Sequence, residues 1–206
     1  MATVAIVAFV AWERRRDEPM LDISYFRNRA FSTATAGMVL VFLSMYGVMF
    51  LVSQYFQLVL GYTPLSSAVR FLPMAPIMII VSPLTPRLVA RFGANRTVAA
   101  GMSLVAVGFL LFSRLDIGTS YPYVLLCVFA LVSGISLTMS PMTAAIMSAV
   151  PARRAGSGSA MNDASREVGA ALGVAVLGSV AASRYATHVA SYVADLPVAL
   201  RGEAES

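Results

Sequence analysis

Long apolar runs separated by short polar links set the pattern of this chain. A helix needs about 20 apolar residues to cross the hydrocarbon core of a bilayer. Five runs fit that length, at residues 31–53, 68–88, 96–113, 122–149 and 163–182. They do not alternate apolar and polar residues at period two, as the strands of a membrane barrel would. The pattern predicts an all-α fold, a polytopic transmembrane bundle with five complete spans.

The two ends of the chain depart from this pattern. Residues 1–12 are apolar but too short to cross, so we interpret them as a partial transmembrane helix with Trp12 at the interface. Positive charge follows this stretch instead of preceding it, which argues against a signal peptide. A polar link at residues 13–30 leads into the five-helix domain, residues 31–182. The tail, residues 183–206, is too polar to span, and its apolar spacing is typical of a short amphipathic helix.

The overall composition also favours a bilayer as the surrounding solvent. Of the 206 residues, 58% are hydrophobic and only 12% are charged, whereas globular proteins carry about a quarter charged residues. The net charge of +5 would suggest nucleic acid for a soluble protein. Here the basic residues lie between apolar runs, so we expect the lipid bilayer as a partner and no nucleic acid.

The arginines alternate between the two sides of the predicted bundle. Eleven lie in the links at residues 13–30, 87–96 and 150–166. The four others are Arg70, Arg114, Arg184 and Arg201. Because cytoplasmic loops carry the excess of positive charge, we expect the first set in the cytoplasm. The link at 13–30 is then cytoplasmic and the tail at 183–206 extracytoplasmic, in a multi-pass protein of the cell membrane.

Small residues inside two spans predict close helix packing. Gly134 and Thr138 follow Ala130 at steps of four, and Gly169 and Gly173 form a GxxxG pair. Such spacing lets two helix backbones approach each other. Prolines within the spans predict kinks, at Pro141 in the fourth run and, in the second run, at Pro73, Pro76 and Pro83.

Ionisable and amide side chains gather where the last span begins. Asn162 and Arg166 share a helical face with Gly169 and Gly173, and Asp163 and Glu167 flank that face. Arg166 can pair with Asp163, three residues before it. Ionisable groups at such places are functional candidates, and the alternative is a structural salt bridge at the cytoplasmic rim.

The chain lacks the residue sets of the common catalytic and metal sites. Cys127 is the single cysteine and His188 the single histidine, so we expect no disulfide within the chain, no metal site and no cofactor. An intramembrane enzyme would need a serine–histidine pair, paired aspartates or a metal-binding cluster in the spans, and the sequence places none there. We therefore do not expect an enzyme.

Three stretches of the chain carry recognisable motifs. The first is residues 54–64, QYFQLVLGYTP, followed by Leu72-Pro73. The second is residues 86–98, PRLVARFGANRTV, which looks like a degenerate copy of the loop G-x-L-x-D-R-x-G-R-K-R. The matching positions are Leu88, Arg91, Gly93 and Arg96, whereas Ala90 replaces the acid. The third is residues 151–178. Together they resemble the C-terminal half of a major facilitator superfamily transporter, within the fourteen-helix drug:proton antiporter group (the EmrB/QacA subfamily), and the third is similar to that family's helix-thirteen signature.

The resemblance implies that the chain holds the end of helix eight and helices nine to thirteen. Its partners would be the missing N-terminal half and an amphipathic or cationic drug-like substrate, exported in exchange for protons. Transport or gating roles then fall to Asn162, Asp163, Arg166, Glu167 and Pro141. No carboxylate lies near the centre of a complete span, so the coupling residues lie outside this chain or transport is not proton-driven. We expect no transport by the chain alone.

Two other functions remain open at this stage. The chain could belong to a transporter of the same superfamily for another solute, or to a membrane accessory or remnant protein that does not transport.

Overall fold

A computed structural model describes Trp12 and residues 23–115 and 119–194, with the backbone alone given from 188 onward. Every regular element in those residues is helical, which confirms the all-α prediction. The α-helices are α1 Arg29–Gln54, α2 Pro64–Phe71, α3 Met74–Val81, α4 Leu84–Phe92, α5 Ala94–Phe112, α6 Tyr121–Ser148 and α7 Ala155–Ala194. They provide five segments long and apolar enough to cross a membrane. The N-terminal stub, apart from Trp12, and the end of the tail lie outside the described residues.

The first span has a clear start and a clear end. Asn28 caps α1, because its side-chain oxygen accepts a hydrogen bond of 2.9 Å from the backbone N–H of Ala30. At its other end α1 continues into a wider π turn, Tyr55–Val59. The chain then turns at Gly61, whose φ of +63° suits glycine. The helical segment is therefore Arg29–Val59, longer than the predicted run.

The second predicted span, residues 68–88, is divided among α2, α3 and α4. The breaks fall at Pro73 and Pro83, each directly before a new helix. Proline lacks the backbone N–H that the preceding turn would need and its ring crowds that turn. Pro76 lies in the first turn of α3, where the missing N–H has no helical acceptor, and causes no break. Two of the three predicted interruptions are therefore present.

The fourth span, α6, is the core of the bundle. In its most apolar stretch 61% of the residues are buried, against 11% for α7. It packs against α5, α1 and α3, while α7 packs chiefly on α1. Pro141 is buried inside α6, which runs unbroken past it. The main hydrophobic core joins α1, α5 and α6 through residues such as Phe31, Met38, Val105, Leu131 and Ile146.

The last span begins earlier and ends later than the apolar run at 163–182. Helix α7 starts at Ala155 and its backbone remains helical to Ala194. The first two turns are rich in glycine and serine, which lowers their hydropathy and makes them resemble a loop. They are nevertheless packed, because Gly158 lies against Met147 and Val150. The extracytoplasmic placement of the tail remains a prediction.

The link between α4 and α5 is a single glycine, and its backbone conformation can be tested by substitution. Gly93 has φ +85° and ψ 156°, a conformation that is essentially restricted to glycine. No atom lies within 4 Å of a β-carbon built there, and the same holds at the helical Gly156. We expect Gly93→Ala to lower the free energy of unfolding by about 1–3 kcal/mol. Gly156→Ala is the matched control, so equal thermal midpoints for the two variants would contradict this expectation.

Candidate functional site

A polar cluster joins α6 to α7 inside the bundle. The Thr143 hydroxyl donates a hydrogen bond of 3.2 Å to the side-chain oxygen of Asn162. The Arg166 guanidinium reaches the same hydroxyl oxygen through Nη2 at 3.5 Å, a long contact. Asn162 is 6% exposed, and Thr143 and Arg166 are half-buried. Of the predicted candidates, Asn162 and Arg166 therefore meet in one place, and Thr143 completes the cluster.

The surroundings of Arg166 are largely apolar. Its guanidinium carbon lies 5.5 Å from the centre of the Phe42 ring on α1, an arrangement that allows a cation–π interaction. Its Nε atom is buried and, among the described residues, has no hydrogen-bond partner. The cluster thus contains a cation with one buried donor that the described residues leave unpaired.

The expected pairing of Arg166 with Asp163 is wrong for the described structure. The contacts of the guanidinium in that part of the chain are with Thr143 and Phe42. Asp163 is exposed, and its carboxylate accepts a long contact of 3.5 Å from the Asn162 amide. The physical reason is direction: Arg166 extends between α1 and α6, whereas Asp163 points out of the bundle.

The depth of the cluster also differs from the sequence-based expectation. The apolar run placed these residues where α7 begins, but eleven residues separate Ala155 from Arg166. At a rise of 1.5 Å per residue, Arg166 lies about 16 Å along the helix. Thr143 is five residues before the end of α6, about 8 Å from that end. Because helical side chains lean towards the N-terminus, Arg166 reaches back to the level of Thr143.

The other candidate residues fall outside this cluster. Glu167, like Asp163, is exposed on α7. Pro141 is buried in α6, two residues before Thr143. The loop residues lie on α4, on α5 and at the glycine between them. Arg91, Gly93 and Arg96 are exposed, and Leu88 is half-buried. Since α7 packs chiefly on α1, the loop motif and the polar cluster occupy different parts of the bundle, and their roles remain predictions.

The predicted packing residues lie at two close helix contacts. A β-carbon built at Gly169 would be 2.5 Å from the carbonyl oxygen of Val39, and one at Gly173 would overlap the carbonyl oxygen of Leu43. On the other side of the bundle, a β-carbon at Gly134 would be 2.6 Å from the carbonyl oxygen of Gly101. Backbones approach closely at both contacts, as small residues permit.

The hydroxyl of Thr138 is satisfied within its own helix. Thr138 is fully buried next to the second of these contacts, and its hydroxyl donates to the carbonyl oxygens of Gly134 and Ile135. A side-chain hydroxyl that donates to a carbonyl of its own helix needs no hydrogen-bond partner on the neighbouring helix. Thr138 therefore contributes to packing at the contact of α5 with α6.

An apolar cavity escaped prediction from the sequence. It has a volume of about 230 Å³ and lies between α1, α3, α5 and α6. Its walls include Phe71, Phe112 and five methionines, namely Met45, Met49, Met74, Met78 and Met139. Methionine is flexible and polarisable and adapts to varied apolar surfaces. The sequence feature that could have predicted a wall of this cavity is the spacing of Phe42, Met45 and Met49, which places them on one face of α1.

Phe42 lies between the cavity and the polar cluster. Its side chain lines the cavity, and its ring centre is 5.5 Å from the guanidinium carbon of Arg166. Five helical segments long and apolar enough to cross a membrane define a multi-pass integral membrane protein. Residues 1–174 match the Major Facilitator Superfamily. The chain belongs to this superfamily, whose members are membrane transporters and not enzymes.

Relatives named as resistance and export proteins share most of this chain. It is 38% identical over 182 residues to the multidrug resistance protein Stp of Mycobacterium tuberculosis, covering 88% of this chain and 34% of Stp. It is 33% identical over 183 residues to the tetracenomycin C resistance and export protein of Streptomyces glaucescens, covering 89% of this chain and 34% of that protein. The multidrug efflux pump LfrA of Mycolicibacterium smegmatis is 29% identical over 195 residues, covering 95% of this chain and 38% of LfrA. The chain spans about a third of the length of these relatives.

Proposed function

We propose that this chain is part of a multidrug efflux transporter of the fourteen-helix drug:proton antiporter group. The observation that carries the proposal is the 38% identity to Stp across 88% of the chain. The cavity supports it, because a wall of methionine and phenylalanine side chains suits apolar molecules of varied shape. Phe42, which lines the cavity, also lies beside the Arg166 guanidinium.

Part of the transport machinery would come from the rest of a longer protein. Secondary transporters bind their substrates near the midplane, between two structural repeats. This chain supplies helices of one repeat only, and large apolar side chains such as Leu58, Ile79 and Leu110 are exposed on it. Asp163 and Glu167, the two carboxylates of the described residues, are exposed and lie at the start of the apolar run at 163–182, away from its centre, so the proton-coupling residues would also lie in the rest of that protein. We therefore propose that residues 1–206 do not transport without the rest.

Dye efflux from cells tests this function. We would express the longest in-frame product of the gene, and separately residues 1–206, in a host deficient in efflux pumps and loaded with a cationic dye. We expect the long product to lower the retained dye, and residues 1–206 to match the empty vector. A long product that exports another solute but no dye would indicate a transporter of different specificity. Dye export by residues 1–206 alone would contradict the partial-chain proposal.

A further inference from the structure

The Arg166 guanidinium is a cation on a helix that is long and apolar enough to cross a membrane, and no carboxylate of the described residues pairs with it. A guanidinium carries five N–H donors, and the described structure gives it one long contact, to Thr143. Its Nε atom is buried and unpaired there. Holding a charge inside a bilayer is costly, and such charges pair with one another or face a water-filled cavity. An anion bound beside Arg166 would pair this charge and its buried donor.

The described part of the chain does not supply that anion. Its carboxylates are Asp163 and Glu167, both exposed on the outer side of α7. Neither α1 nor α6, which enclose the guanidinium, contains an acidic residue. Phe42 offers only the face of its ring. Any counter-charge for Arg166 therefore lies outside the described residues that pack around it.

We propose that Arg166, Thr143 and Asn162 form a binding site for a carboxylate. The planar guanidinium fork matches the two oxygens of a carboxylate and binds them through parallel hydrogen bonds. The Asn162 amide, whose present contact with Asp163 is long at 3.5 Å, provides a further N–H donor. Arg166 is only half-buried, so the site is reachable from one side. The site is independent of whether the protein exports drugs.

Two sources could provide the same carboxylate chemistry. One is an acidic side chain in another part of the longer protein, which would form an ion pair with Arg166. The other is a small molecule whose acid group binds at Arg166 while its apolar part enters the cavity. The second source is compatible with the structure because Phe42 borders both the guanidinium and the cavity.

Chemical modification of arginine distinguishes these sources without measuring transport. The longest in-frame product, purified in detergent, would react with phenylglyoxal, and peptide mass spectrometry would follow each arginine. The exposed Arg96 is the internal reference. The probe is 4-phenylbutyrate, and its amide is the uncharged control. A bound carboxylate should slow the reaction of Arg166 about tenfold or more, given the strength of charge-assisted hydrogen bonds.

Each result has a definite meaning. Protection of Arg166 by 4-phenylbutyrate, but not by its amide, supports the site and assigns a small-molecule source. Slow modification without the probe, combined with a lower thermal midpoint for Arg166→Met, supports the site and assigns an acidic side chain. Arg166→Lys should weaken binding in either case, because lysine lacks the fork.

Two results would overturn the proposal. One is that Arg166 reacts as fast as Arg96 with and without 4-phenylbutyrate. The other is that Asp163→Asn alone makes a slowly modified Arg166 react as fast as Arg96 without the probe, since Asp163 would then be the counter-ion. Neither result bears on dye efflux, so failure of this site and failure of the proposed function can be told apart.

Discussion

Gly173→Ala is expected to push α1 and α7 apart, whereas Gly156→Ala on the same helix is expected to leave the bundle intact. A β-carbon at Gly173 would overlap the carbonyl oxygen of Leu43, and that oxygen belongs to the backbone of α1. Since a backbone carbonyl cannot rotate away as a side chain can, the two helices must separate. Overpacking of this kind costs about 1–3 kcal/mol.

Close contacts like that at Gly173 recur along the interface of α1 and α7, so separating the helices at Gly173 should weaken the neighbouring contacts as well. A β-carbon at Gly47 on α1 would lie 3.0 Å from the carbonyl oxygen of Gly173, and Gly169 is one turn away against Val39. Helix association in a bilayer depends on such close packing. The measurement is the thermal midpoint for loss of monodisperse protein in detergent, in the longest in-frame product.

The two variants at Gly173 and Gly156 differ only in what surrounds the added methyl group. Gly156 has open space around it, and alanine inside a helix is favoured over glycine by roughly 0.5–1 kcal/mol. Gly156→Ala should therefore keep or raise the midpoint. Equal midpoints for the two variants would mean that α1 and α7 do not pack as described.

Gly134→Ala is expected to destabilise the centre of the bundle. Its β-carbon would lie 2.6 Å from the carbonyl oxygen of Gly101 and 2.8 Å from the backbone nitrogen of Val105, both on α5. Because α6 is the most buried helix, this contact has little freedom to relax. We expect a loss of about 1–3 kcal/mol and a lower yield of monodisperse protein.

Gly37 is the matched control for Gly134. A β-carbon at Gly37 would come equally close, 2.5 Å, but to the terminal methyl group of Met142. Methionine has three rotatable side-chain bonds and fills space adaptably, so Met142 can move aside. Gly37→Ala should be tolerated, and a loss as large as that of Gly134→Ala would show that backbone contact is not what makes Gly134 necessary.

The fold could be predicted from the sequence because a bilayer imposes a simple length requirement. Five apolar runs gave five spans, and prolines indicated where the second one breaks. The start of α7 was missed because hydropathy measures transfer to lipid, whereas Gly158 and Asn162 are buried against protein. A run of small and polar residues can be helical when neighbouring helices cover it.

The candidate site could be predicted only in part, for a similar reason. Spacing on α7 placed Asn162 and Arg166 on one face, but spacing within one helix carries no information about its neighbours. Thr143 and Phe42 lie on α6 and α1, so their contacts with Arg166 depend on how three helices pack. The same limit explains why the predicted pairing of Arg166 with Asp163 is wrong, because that prediction used the spacing within one helix alone.

The proposal that this chain is part of a drug exporter is tested most directly by transport with purified protein. The measurement is uptake of a cationic dye into proteoliposomes under an imposed pH gradient, comparing the longest in-frame product with residues 1–206. We predict gradient-dependent dye transport by the long product and none by residues 1–206. Transport by residues 1–206, or no dye transport by an intact long product, would contradict it.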